Sequence, residues 1–255
     1  VLTPDGVRYF AAAKQRVARP FHLRWLLPKV CGQDFARWQW VSRVAVVLVG
    51  VLTAVYCRNP WMVCVAFLPG VVFSWKYPVL VDAVGMVGAL AAAVVFPYCW
   101  PAAVVIVLLA GCVRETAPVW TALYAWNPVL LVGLVPVAIR ALQKAGGDVL
   151  DAENAWILAH PIAASRKYHR GVWLDWSLMV APWGGLLAGL AGFDIRLGAA
   201  LAVGYGQTLM ATDTVRLYQW ATPVMALACT QVLPSWALPF VAVSVLFNPW
   251  KGPGV

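Results

Sequence analysis

The chain has 255 residues, 62% of them hydrophobic and only 11% charged, with a formal net charge of +9. A soluble domain is about 45–50% apolar and about 25% charged, so this composition leaves too little polar surface to cover a water-soluble globule. The positive charge, which would suggest nucleic acid in a soluble protein, here fits basic residues placed at helix ends against phospholipid headgroups, and no nucleic-acid partner is expected.

Residues 1–39 stand apart from the rest. They carry seven Lys/Arg against Asp5 and Asp34, interleaved with Phe10, Phe21, Trp25, Leu26 and Leu27. The pattern predicts one or two interfacial amphipathic helices broken at Pro20 and Pro28. It is not a signal peptide, because no apolar core follows the first few residues. The chain begins with Val rather than Met, which leaves room for an upstream start and a further span ahead of it.

Apolar blocks then follow, each closed by Arg, Lys, Pro or Asn. Lipid cannot hydrogen-bond a bare backbone, so such blocks must be helices. The expected spans are Val41–Tyr56, a short Trp61–Trp75 kinked at Pro69-Gly70, Val79–Phe96, a short Pro101–Val113, and Val119–Ile139 at full length. The stretch 140–171 is polar, holds five Lys/Arg and reads as a cytoplasmic loop. Asp151-Ala-Glu-Asn can cap a short amphipathic helix there, Asp151–Ala164. Val172–Ala191, Leu197–Ala211, Leu217–Leu233 and Trp236–Phe247 complete about nine apolar segments of roughly membrane-spanning length.

The predicted fold is therefore all-α: a single integral membrane domain over residues 1–255, a bundle of about eight transmembrane helices with an interfacial N-terminal segment. Fifteen tryptophans, many at block edges (Trp40, Trp61, Trp75, Trp100, Trp120, Trp173, Trp236, Trp250), read as interfacial anchors. The six cysteines are scattered without a C-x-x-C pair, and the three histidines make no ligand set, so no disulfide framework, metal or cofactor is expected. Counting spans back from a cytoplasmic 140–171 loop puts the basic residues 1–39 outside, against the positive-inside rule. Either one short segment is re-entrant, or the outer basic segment binds an anionic substrate; the second is preferred because the acids below fall on that same face.

Charge in or beside a span costs about 2.5–3.5 kcal/mol at the helix centre, so the charged residues there are the functional candidates: Asp5, Asp82, Arg114 with Glu115, and Asp213 with Arg216. Asp5, Asp82 and Arg114-Glu115 fall on one membrane face in the alternating topology. Acids beside cations make a general base next to an anion clamp. Each also has a plain structural explanation. Asp5 suits a Pro-Asp-Gly turn, Asp82 the first turn of a helix, Arg114-Glu115 an interfacial ion pair, and Asp213 with Arg216 a pair on one helical turn.

Three stretches resemble a known family. Thr3-Pro-Asp-Gly-Val-Arg-Tyr followed by Arg19-Pro-Phe-His-Leu-Arg-Trp-Leu-Leu-Pro is similar to the first outer loop of polytopic bacterial glycosyltransferases of the GT-C type. Gly111-Cys-Val-Arg-Glu-Thr-Ala-Pro resembles their Arg/Lys-Glu-Thr motif, and Thr212-Asp-Thr-Val-Arg-Leu-Tyr-Gln-Trp-Ala-Thr-Pro their Asp-x-x-Arg…Pro segment. The resemblance implies a multi-pass protein of the bacterial inner membrane that takes a sugar from a polyprenyl-phosphate donor at the outer face. It implies Asp5 as general base, with Asp82 and Glu115 the other catalytic candidates. Arg114, with Arg24 or Lys76, would hold the donor phosphate, and Asp213 and Arg216 would be further substrate-binding residues. The alternative is a non-catalytic polytopic protein, transporter-like or a partner-binding subunit among membrane lipids. A transporter would more often show matched halves with paired broken helices, and none are visible in the sequence.

Overall fold

The computed structural model describes residues 4–14, 21–143, 156, 159–168, 180–209 and 218–249. Asp213, Arg216, most of the polar loop and residues 172–179 lie outside these. The architecture is all-helical, with no strand among the described residues. In chain order the α-helices are α1 (Pro4–Ala12), α2 (Leu26–Cys31), α3 (Phe35–Tyr56), α4 (Pro69–Lys76), α5 (Asp82–Val95), α6 (Trp100–Val113), α7 (Ala117–Ala125), α8 (Leu134–Leu142), α9 (Pro161–Tyr168), α10 (Ile195–Thr208), α11 (Thr222–Val232) and α12 (Leu238–Leu246). Among the described residues six 3-10 helices lie between them, the longest at Pro60–Phe67, Pro128–Gly133 and Ala181–Gly192. The chain divides into two compact units, one of residues 1–52 and 74–149, the other of residues 53–73 and 150–255.

Among the described residues only α3, with 22 residues, is both long and apolar enough to cross a membrane. At 1.5 Å per residue it reaches about 33 Å, against a hydrocarbon core of about 30 Å. The other apolar helices are shorter. The expected full-length span Val119–Ile139 is two pieces, α7 and the run Pro128–Leu142, because Trp126 is left-handed and Asn127 extended between them. The chemistry of this break is in the sequence. Pro128 offers no N–H and forces the preceding Asn127 out of the helical region. Trp126 then closes α7, with the Asn127 N–H on the Ala122 carbonyl, and the Asn127 side chain caps the next helix by accepting from the Val129 N–H at 2.9 Å.

The same device ends α3. Arg58 is left-handed, the Asn59 N–H bonds the Ala54 carbonyl, and the Asn59 side chain accepts from the Trp61 N–H at 3.0 Å before the 3-10 helix that Pro60 opens. Among the described residues Arg58 and Trp126 are the two non-glycine positions with positive φ, and both precede Asn-Pro. The segment at 61–75 is broken as expected, at Leu68, whose extended backbone separates Pro60–Phe67 from α4.

Two expectations for the N-terminal segment change. Asp5 does not sit in a turn: Pro4 occupies the first position of α1, where its missing N–H costs nothing, and Asp5 follows within that first turn. Pro28 does not break the chain either, because it lies in the first turn of α2. The break comes at Gly32, whose positive φ (+60°) a glycine adopts without a Cβ clash.

In the first unit α5 and α6 form an antiparallel hairpin of two 14-residue helices. They cross closely because Gly88 faces Ala110, where an added Cβ would stand 2.7 Å from the Ala110 Cβ. Gly111 likewise backs onto the Gly133 carbonyl, at 2.3 Å from an added Cβ. Apolar residues Ala92, Ala103, Val107 and Leu130 fill the turn end of this hairpin. In the second unit the 3-10 segment Ala181–Gly192 packs on α11 and α12, with Gly189 against the Met225 carbonyl.

Candidate functional site

The open end of the α5–α6 hairpin carries a cluster of paired charges. Equal helix lengths bring the first residue of α5, Asp82, beside the residue that follows α6, Arg114. The Arg114 guanidinium meets the Asp82 carboxylate at 2.8 Å, and each residue is 4% exposed. Both charges also suit their helix ends, an acid at an N-terminus and a cation at a C-terminus. Arg114 Nε reaches the Thr116 hydroxyl at 3.4 Å.

The neighbouring Glu115 binds a second arginine. Arg24, in the turn between the 3-10 helix Phe21–Leu23 and α2, donates from Nε to one Glu115 oxygen at 2.6 Å and from a terminal nitrogen to the other at 2.5 Å. This is the two-pronged arginine–carboxylate geometry that is stronger than a single bond. The remaining terminal nitrogen donates to the Tyr9 hydroxyl at 2.5 Å. Tyr9, 1% exposed, stands edge-on to Phe21 with ring centroids 5.2 Å apart, and Trp38 lies 6.3 Å away. Trp38 is held in turn by its indole N–H on the Gly32 carbonyl at 3.0 Å. Arg24 therefore ties α1, the Phe21–Trp25 turn and the α6–α7 connection to one point.

The electrostatics follow from this enclosure. Burial pushes the Glu115 carboxyl up, but the Arg24 charge and hydrogen bonds, with Arg114 behind them, bring it down to about 2. Burial alone would lower Arg24, yet Glu115 and Tyr9 hold it well above its usual value. Burial raises the Tyr9 phenol above its ordinary range, partly opposed by Arg24. A general base works best with a pKa near the operating pH. Glu115 in this arrangement is an anchor for Arg24 and a weak proton acceptor.

Of the eight candidate residues, four converge here: Arg24, Asp82, Arg114 and Glu115. Lys76 does not join them. It ends α4, exposed, with its ammonium 5.6 Å from the Tyr77 ring. Asp5 lies in α1, but its side chain is outside what the structure describes, as are Asp213 and Arg216 entirely. Tyr9 was missed as a site residue. The signal was its place in the Asp-Gly-Val-Arg-Tyr stretch, one helical turn beyond Asp5, where a buried hydroxyl requires a partner. Among the described residues no group of three or more His, Cys, Asp or Glu is placed to hold a metal ion.

The second unit contributes an ion-containing contact of its own. Arg196 donates to the Tyr56 hydroxyl and lies 5.6 Å from the same ring, while Asp194 caps α10 by accepting from the Leu197 N–H at 2.7 Å. No family model, curated protein or solved structure matches this chain.

Proposed function

We propose that this chain is a multi-pass membrane protein that transfers a sugar from a lipid-phosphate donor at the membrane surface. The membrane part of the reading rests on apolar faces turned outward. Val47, Val51 and Val55 on α3, Val105 and Leu109 on α6, Val135, Ile139 and Leu142 on α8, and Phe240, Val243 and Leu246 on α12 are all exposed at helical spacing. Soluble monomers rarely expose contiguous apolar patches beyond a few hundred Å². The shorter helices gain reach from 3-10 turns, which rise about 2.0 Å per residue. In line, Pro128–Leu142 covers about 25 Å, close enough to the hydrocarbon thickness for local thinning to absorb the rest.

The transferase part rests on one observation: two buried guanidinium groups stand beside two carboxylates in one cluster. A donor phosphate would compete with Glu115 for Arg24 and with Asp82 for Arg114. Once Arg24 has turned to phosphate, the Glu115 carboxyl loses what holds it near 2 and rises, becoming able to accept a proton. The acceptor oxygen then bonds to the anomeric carbon as the carbon–phosphate oxygen bond breaks. The hydroxyl proton passes to the carboxylate, and the lipid phosphate leaves on the arginines. Asp5 is the alternative base in this scheme.

One observation favours a second reading, a non-catalytic membrane subunit: both carboxylates already sit on arginines, so the cluster is complete without a ligand. Purified chain in proteoliposomes, supplied with polyprenyl-phosphate sugars and candidate acceptors, separates the two. Transfer that falls about 10²–10⁴-fold in either Glu115→Gln or Asp5→Asn, with unchanged membrane abundance, supports the transferase. No transfer by the parent chain with any lipid-linked sugar supports the subunit.

A further inference from the structure

Two helix starts meet at one buried glutamine of the second unit. Gln219 opens the helical run 219–232, made of the 3-10 turn Gln219–Ala221 and α11, and the Tyr218 side chain does not cap it. The Gln219 side-chain oxygen accepts from the Gly70 N–H at 2.5 Å. Gly70 lies in the first turn of α4, and residues 69–73 of that helix belong to the same unit as Gln219. The extended backbone of Leu68 separates this turn from the preceding 3-10 helix. The residues on either side of Gln219 are pinned. Trp183 stacks on Tyr218 with ring centroids 5.3 Å apart, and its indole N–H donates to the Thr222 hydroxyl at 2.7 Å.

The Gly70 contact fixes the orientation of the Gln219 amide. A backbone N–H needs an acceptor, so the oxygen faces Gly70 and the nitrogen, a donor only, faces away. The neighbouring backbone donors are engaged: the Val71 and Val72 N–H groups share the Leu68 carbonyl, each at 2.9 Å, and the Thr222 N–H is on the Gln219 carbonyl. The open donor is the Gln219 side-chain nitrogen. Gln219 is 1% exposed, and among the described residues this nitrogen meets no acceptor. A buried donor left unmade is costly. The first turns of two helices add partial positive charge at the same point. Dipoles of this sign suit a small, singly charged anion. A divalent anion is harder to strip of water and calls for guanidinium or ammonium partners.

We propose that Gln219, with the first turns of α4 and of the run 219–232, forms a buried site for a small monovalent anion, a halide or nitrate. Gln219 donates to the ion from its side-chain nitrogen while its oxygen keeps the Gly70 N–H. An interrupted helix that offers its N-terminus to an anion is a recurring way for membrane proteins to bind anionic solutes. The site lies outside the ion-pair cluster of the first unit and does not depend on sugar transfer.

The test is calorimetric titration of the full chain in detergent with sodium bromide, at an ionic strength held constant with sodium gluconate, whose anion is bulky. The parent should bind one bromide per chain, with nitrate competing and sulfate not. Gln219→Met, which leaves the net charge unchanged, should weaken bromide binding about 10–100-fold, the worth of a hydrogen bond to a charged group. Gln219→Glu keeps an acceptor for the Gly70 N–H and supplies its own negative charge, so it should fold as the parent does and bind no bromide. No bromide binding by the parent, equal binding by Gln219→Met, or competition by sulfate as strong as by nitrate overturns the site. A Gln219→Glu chain that fails to fold, or that binds bromide as the parent does, also overturns it, since dipoles that hold an anion should hold that carboxylate in its place. A chain that transfers sugar without binding bromide loses only this site, and one that binds bromide without transferring sugar keeps it.

Discussion

The two units bury polarity in different ways. In the first, ions are buried and paired: Arg24 with Glu115 across 91 positions of sequence, and Arg114 with Asp82 at the open end of a helical hairpin. In the second, apart from the part-buried contact of Arg196 with the Tyr56 hydroxyl, the buried and part-buried hydrogen bonds named here join neutral groups. The Gly70 N–H donates to the Gln219 side-chain oxygen at 2.5 Å, the Trp183 indole N–H to the Thr222 hydroxyl at 2.7 Å, and the Gly185 N–H to the Ser244 hydroxyl at 2.8 Å. The Asn248 amide donates to the Ala181 carbonyl at 2.9 Å. The lesson lies in the penalty for error. A neutral partner lost leaves a dipole unsatisfied, whereas an ion lost leaves a charge, so the ionic bonds of the first unit are the less replaceable.

The contrast is sharpest for the pair whose residues are both almost fully buried. Arg114→Met should destabilise the first unit by about 3–5 kcal/mol, because Asp82 is left as an uncompensated buried charge. Thermal or denaturant unfolding in detergent reads this directly. Asp82→Asn/Arg114→Met together should recover much of the loss, since a neutral pair of similar volume removes the stranded charge.

Acid should separate the units next. The folded Glu115 carboxyl lies at about 2 against an ordinary 4.5, so its stabilisation is complete above 4.5 and is lost as pH falls toward 2. Unfolding followed through Trp38, beside Tyr9, should therefore show declining stability across that window, and Glu115→Gln should flatten the decline. An unchanged slope in that variant would assign the acid sensitivity to other carboxylates.

The smallest effect belongs to the second unit. Trp183→Phe removes the indole donor from Thr222 while keeping most of the ring, and should cost about 1 kcal/mol by the same unfolding measurement. A loss as large as that of Arg114→Met would mean the neutral bonds are as irreplaceable as the ionic ones, and the contrast between the units would fail.

Much of this pattern was legible from residue costs. Asp82, Arg114 and Glu115 drew notice as charges beside apolar runs and Arg24 through the family resemblance, and these four do meet. Their pairing was not legible. Arg24 and Glu115 are brought together by α1, α2 and the hairpin, and no local rule links residues so far apart. Asp82 and Arg114 pair because α5 and α6 have equal length, which follows only once both helix ends are known. The segment Val119–Ile139 was misread as one unbroken span because its hydrophobicity is continuous across Trp126-Asn127-Pro128. There the proline and the asparagine cap outweigh the apolar count. Tyr9 escaped because a tyrosine near a chain end has the same composition signature whether it anchors at an interface or closes a buried network.

A double-mutant cycle on Arg24 and Glu115 tests the ionic tie most directly. Arg24→Gln and Glu115→Gln should each destabilise the detergent-solubilised chain, with the double variant losing less than the sum by about 1–3 kcal/mol. Losses that add to within about 0.5 kcal/mol would show that the two residues do not act as a pair, and that the N-terminal segment is held to the α6–α7 connection by something else.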